Sequence, residues 1–111
     1  MAMPAILLVE GDADIDIDIT LTDKSNGDAP IDVSSSVVRL YYIEQGGTAL
    51  VATVVCTAPN GGADGLVRAR LPAACMANPG LFEGEFEVTT GTQVQTVYDI
   101  QKFKVRDQRE V

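Results

Sequence analysis

Asp14-Ile15-Asp16-Ile17-Asp18-Ile19-Thr20-Leu21-Thr22 alternates polar and apolar residues without a break. Successive side chains of a strand point to opposite faces. Ile15, Ile17, Ile19 and Leu21 therefore line one face, and Asp14, Asp16, Asp18, Thr20 and Thr22 the other. A helix would scatter the same residues around its circumference. The segment reads as a strand with one dry face and one wet or partnered face.

The rest of the chain follows the same logic. Residues 37–44 place Val38, Leu40 and Tyr42 on one side, and Val37, Arg39, Tyr41 and Ile43 on the other. Residues 48–57 are rich in β-branched side chains, with Leu50, Val54 and Cys56 sharing a parity. Residues 66–71 set Arg68 and Arg70 between Val67, Ala69 and Leu71. Residues 81–89 turn Phe82, Gly84, Phe86 and Val88 inward and Glu83, Glu85 and Glu87 outward. Residues 92–105 form the last strand. Its apolar parity changes from even (Val94, Tyr98, Ile100) to odd (Phe103, Val105), which predicts one extra residue, as a bulge or break, near Ile100-Gln101.

Turn formers separate these runs: residues 23–30 around Asn26-Gly27, then Gly46-Gly47, the glycine-rich loop 58–65, and Thr90-Gly91. One helical turn fits 72–77, ended by Asn78-Pro79-Gly80. The pattern predicts an all-β fold, an antiparallel immunoglobulin-like β-sandwich of about seven short strands. It spans residues 1–111 as one domain. The expected core anchors are Ile15, Ile17, Ile19, Leu21, Leu40, Phe82, Phe86 and Val88. Residues 1–10 read as an N-terminal arm, flexible or strand-exchanging, that orders by adding to a neighbour's sheet edge.

At 46% hydrophobic the chain can bury a core, and with three Tyr, three Phe and no Trp that core is mainly aliphatic. Eight basic residues face 16 acidic ones, for a net charge of -8. That charge repels phosphate backbones and anionic lipid, so neither nucleic acid nor membrane is an expected partner. Acids crowd residues 10–32, whereas Lys102, Lys104, Arg106 and Arg109 crowd the end. These two sets, Asp14, Asp16 and Asp18 against the basic segment, are the candidate interface residues. They would pair within the sheet, between copies or with a host structure, and set register and partner choice.

The apolar run 5–9 is too short for a bilayer crossing and has no basic segment before it, so the chain is expected to be made in the host cytoplasm. Cys56 and Cys75 allow one disulfide at most, and two reduced thiols are the expected state.

Catalysis is not expected. There is no histidine to activate a serine or cysteine. The carboxylate ladders Asp14/Asp16/Asp18 and Glu83/Glu85/Glu87 space neighbours roughly 6.5–7 Å apart, but no pocket-building motif accompanies them, and wet strand faces explain them. Residues 23–34 fail the calcium-loop pattern, with Asp28 where glycine is needed and Ser34 where a bidentate glutamate is needed. No cofactor or metal is expected, although weak calcium binding to the Asp14/Asp16/Asp18 face is an alternative.

The order of features has a likeness. Gly11-Asp12 leads into an alternating strand ending Ile19-Thr20-Leu21-Thr22-Asp23. An Asn-Gly turn and Ser36-Val37-Val38-Arg39-Leu40 follow, then Pro79-Gly80-Leu81-Phe82-Glu83-Gly84-Glu85-Phe86-Glu87-Val88 and Val94-Gln95-Thr96. Over about residues 11–105 this resembles the N-terminal domain of the phage baseplate upper protein family, an immunoglobulin-like virion domain. The resemblance implies a non-enzymatic structural protein of a phage tail or baseplate that docks other virion proteins and further copies of itself. A capsid decoration (cement) protein on the phage head is the alternative within that class. A carbohydrate- or calcium-binding β-sandwich module is the alternative outside it, with Tyr41, Tyr42 and Tyr98 as the stacking candidates.

Overall fold

The computed structural model describes residues 4–108. Among them, ten strands and two short 3-10 turns occur, and no α-helix. The strands are β1 (Ile6–Val9), β2 (Ile15–Thr20), β3 (Thr22–Asp23), β4 (Ala29–Pro30), β5 (Val37–Glu44), β6 (Leu50–Val55), β7 (Leu66–Leu71), β8 (Gly80–Thr90), β9 (Gln93–Thr96) and β10 (Gln101–Arg106). A six-stranded sheet runs β1-β10-β8-β5-β6, with β9 also paired to β8. A second sheet pairs β2 with β7, and a small hairpin pairs β3 with β4. The inner faces of the two larger sheets share one buried cluster, so the fold is an all-β sandwich.

The alternating segment keeps its inside–outside pattern over Ile15–Thr20, a shorter strand than expected, because Asp14 before it is left-handed and Leu21 and Thr22 lie past its end. Ile17 and Ile19 are buried and Ile15 packs half-buried against the core, while Asp14, Asp16 and Asp18 are exposed. Leu21 lies past the end of β2, where its N–H meets the carbonyl of Gly65 and its own carbonyl accepts from Ile31. Gly65 has φ +78, and a Cβ there would lie 2.7 Å from the Leu21 carbonyl oxygen, so only glycine lets the 58–65 loop close on Leu21. Leu21, Leu40, Phe82, Phe86 and Val88 are all buried.

At the centre, Tyr42 stacks on Phe82 with centroids 5.1 Å apart and meets Phe103 edge-on at 5.0 Å. Each ring of this size contributes roughly 1.5–3 kcal/mol through burial. The Tyr42 hydroxyl donates to the carbonyl of Cys75 at 3.0 Å, so its polar end is satisfied inside. Gly84 sits beneath these rings. A Cβ on it would come within 2.6 Å of Leu40 Cδ1 and 2.8 Å of Phe103 Cε2.

Four features differ from the sequence reading. First, the large sheet is not wholly antiparallel, because β1 pairs with β10 in parallel. Second, that pairing, Ile6 with Phe103 through Val9 with Arg106, uses the chain's own sheet for part of the expected free arm. Residues 1–3 lie outside the described part.

Third, the return strand is interrupted between β9 and β10 without a change of parity. From the pair Glu87–Thr96 to the pair Gly84–Gln101, β8 advances three residues and the return strand five. An insertion of two keeps the inside–outside alternation in phase, so Val97, Gln101, Phe103 and Val105 all face in. Val94, Tyr98 and Ile100 are exposed instead. Fourth, Leu50 is exposed, because the register slips between Tyr42–Ala52 and Ile43–Leu50, and a bulge flips the strand before Ala52.

Candidate interaction site

The wet face of the β2–β7 sheet is a ladder of opposite charges. Asp16 lies directly across from Arg70, and Asp18 directly across from Arg68. Arg68 Nε and Nη2 reach the two Asp18 carboxylate oxygens at 2.7 and 3.0 Å. Arg70 Nε and Nη2 reach those of Asp16 at 2.9 and 3.2 Å. Both contacts are two-pronged, the geometry in which a guanidinium best matches a carboxylate. Hydrogen bonds from Arg70 and Arg68, reinforced by their charge, hold the Asp16 and Asp18 carboxyls below their ordinary value. The same contacts push the two guanidinium groups up.

The acidic strand therefore finds its partner inside the chain, on β7. The sequence carried a signal for this. Arg68 and Arg70 repeat at the same spacing of two as Asp16 and Asp18, with opposite sign, and cross-strand pairing puts such sets face to face. Asp14 stands just outside the ladder. It precedes β2 in a left-handed conformation, φ 55, and makes no ion pair among the described residues.

The basic segment is divided as well. Lys102 lies across from Glu83 and forms an ion pair with it on the outer face of the large sheet. Lys104 sits in a cross-strand row between Leu7 of β1 and Leu81 of β8 and makes no ion pair among the described residues. Arg106 donates to the carbonyl of Asp107 at 2.9 Å. Arg109 lies outside the described residues. Among the described residues, no ion pair joins the acidic set to the basic one.

The rest of that outer face mixes charge with exposed apolar groups. Tyr41 donates to Glu87 at 3.1 Å, with Arg39 directly across from Glu87. Val37, Val55 and Leu81 are exposed on the same face, as is Leu7 on β1. An open cleft of about 360 Å³ lies at one end, lined by Glu44, Val51, Asn78 and Leu81 among others. Glu44 is its one ionisable group. Among the described residues, no group of three or more His, Cys, Asp or Glu side chains is gathered as a metal cage would require. Both cysteines are free, and burial pushes each thiol up to about 11. No protein-family model matches the chain, and no curated protein matches it.

Proposed function

We propose that this chain is a structural protein of a phage virion, a tail or baseplate component that docks other virion proteins and performs no catalysis. The observation that carries the reading is the Pro79–Val88 segment, the most distinctive part of the resemblance to the baseplate upper protein N-terminal domain. From Gly80 onward it forms β8, which pairs with β5 along one edge and with β10 and β9 along the other. Phe82 and Phe86 anchor it in the core, and Gly84 admits the rings above it.

The strand order supports the immunoglobulin-like part of the reading. With β9 and β10 counted as one return strand, β10, β8, β5 and β6 stand in the order G, F, C, C′, and β2 stands beside β7 as B beside E. Docking by surface complementarity is supported by the outer face, where exposed Leu7 and Leu81 flank Lys104. Exposed apolar groups among charged ones suit a protein contact.

Immunogold electron microscopy of purified particles tests the reading. Gold at the tail tip or neck is the expected result. Gold over the head would assign the chain to capsid decoration instead. Unlabelled virions, with the epitope shown to be accessible, would overturn the virion role.

A further inference from the structure

Leu7, Lys104 and Leu81 stand side by side across β1, β10 and β8 on the outer face of the large sheet. One step along, Arg106 of β10 stands beside Val9 of β1. Leu7 is 76% exposed and Leu81 50%, and both cations are exposed as well. An open groove of about 240 Å³ lies at this corner, lined by Leu7, Val9, Lys104 and Arg106 among others.

The charge here is unlike that of the rest of the face. Lys102 is matched by Glu83, and Arg39 stands across from Glu87. Lys104 and Arg106 have no carboxylate within ion-pair distance among the described residues. Glu10, which follows β1, accepts from the N–H of Gln108 instead. A chain of net charge -8 thus carries a local excess of two positive charges beside two exposed leucines.

We propose that this corner docks an extended acidic segment of a partner protein, with carboxylates at alternate positions. Spacing and charge select that occupant. Lys104 and Arg106 point to the same side two residues apart, roughly 6.5–7 Å along the strand. An extended segment laid along β10 repeats its side chains at the same interval. Alternate carboxylates then meet both cations, and the segment's flanks cover Leu7 and Leu81. The apolar contact supplies buried area, and the charge pairs set register. At physiological ionic strength a charge is screened beyond about 8 Å. A short segment therefore meets the local excess, whereas a nucleic acid would run on over acidic surface.

This docking corner rests on the reading above of the chain as a docking protein. Its test uses the purified chain and not the particle, so the two can fail separately. The full, isotope-labelled chain is titrated with acetyl-Glu-Val-Glu-Val-Glu-amide and with the same peptide carrying Gln in place of Glu. Below about 1 mM acidic peptide, the amide signals of Ile6–Val9, Leu81 and Lys104–Arg106 should move, and added salt should reduce the effect. Lys104→Glu combined with Arg106→Glu should weaken binding at least about tenfold, because like charges then oppose each other. Both side chains are exposed, so this variant should keep the parent's circular dichroism. No movement of those signals, equal binding of the Gln peptide, or equal binding by the double variant would overturn the proposal. The same signals moving with the concentration of the chain alone would overturn it in favour of a second copy. Their moving with a short DNA duplex at the same concentration would overturn it in favour of phosphate.

Discussion

Gln101 donates from Nε2 to the carbonyl of Pro4 at 2.7 Å, across nearly the whole length of the chain. Gln101 is only 2% exposed, the one buried polar side chain among the described residues, and its Nε2 also reaches the carbonyl of Lys102 at 2.9 Å. The amide thus fastens the lead-in of β1 to the start of β10. This contact helps explain why an edge strand of four residues pairs inside the chain at all.

Gln101→Leu keeps the bulk and removes the donor. A hydrogen bond of this kind contributes about 1 kcal/mol net, which corresponds to roughly fivefold in local opening. Hydrogen exchange should show the amides of Ile6–Val9 less protected by that factor, with β5 and β8 unchanged. Unaltered protection of β1 would show that the strand is held by its pairing with β10 alone.

The Asp–Arg ladder predicts an acid response whose sign follows from the lowered carboxyls. Asp16 and Asp18 lie below their ordinary 3.8 in the folded chain because of Arg70 and Arg68. A depressed folded value means that the stabilisation is present above the unfolded value. It is lost as pH falls through the folded one, so the window lies below about pH 4. Asp16→Asn combined with Asp18→Asn should flatten the fall of melting temperature in that window and leave the pH 6–8 region flat in both proteins. Part of the slope should persist, because Asp32 and Asp64 are lowered too, by hydrogen bonds from Ser34 and from the Leu66 N–H respectively. An acid profile identical to the parent's would mean that the ladder does not couple to folding.

Gly84 gives a third expectation. The Cβ of alanine would have to displace Leu40 Cδ1 or Phe103, and both side chains are fully enclosed. Overpacking of this sort costs roughly 1–3 kcal/mol. Gly84→Ala should lower the unfolding free energy by that amount in the parent chain and by clearly less in a Leu40→Val background, where the nearest methyl is gone. Equal costs in the two backgrounds would locate the clash on Phe103.

These sites differ in how far the sequence revealed them. The unbroken alternation of residues 14–22 specifies β2, because one buried face leaves a strand only one register. The glutamate alternation of residues 83–87 specifies the outward face of β8 in the same way. Val94, Tyr98 and Ile100 also alternate and are apolar, yet they point to solvent. Alternation gives two faces without saying which is inside, and the register against β8 decides it. The exposure of Leu50 likewise follows from a slip against β5. The parallel union of β1 with β10 joins the two ends of the chain, and no local pattern announces such a contact. For the charged residues, the spacing of Asp16 and Asp18 was legible. No local pattern announces their partners, because β2 and β7 are separated by about half the chain and only their pairing in the sheet brings the charges together.

The thiols supply the last expectation. Burial pushes both Cys56 and Cys75 up to about 11, so at pH 8 almost none of either is thiolate, the form that attacks electrophiles. The two differ in access. Cys56 is half-buried beside β6, whereas Cys75 is completely enclosed in the 3-10 turn beneath Tyr42. Alkylation of the native chain should therefore be slow and ordered, Cys56 first, with Cys75 reacting only as fast as the core opens. In denaturant both should react at the rate of an ordinary thiol. Cys75 labelling that matches Cys56 under native conditions would mean that the turn carrying it opens independently of the Tyr42–Phe82–Phe103 core.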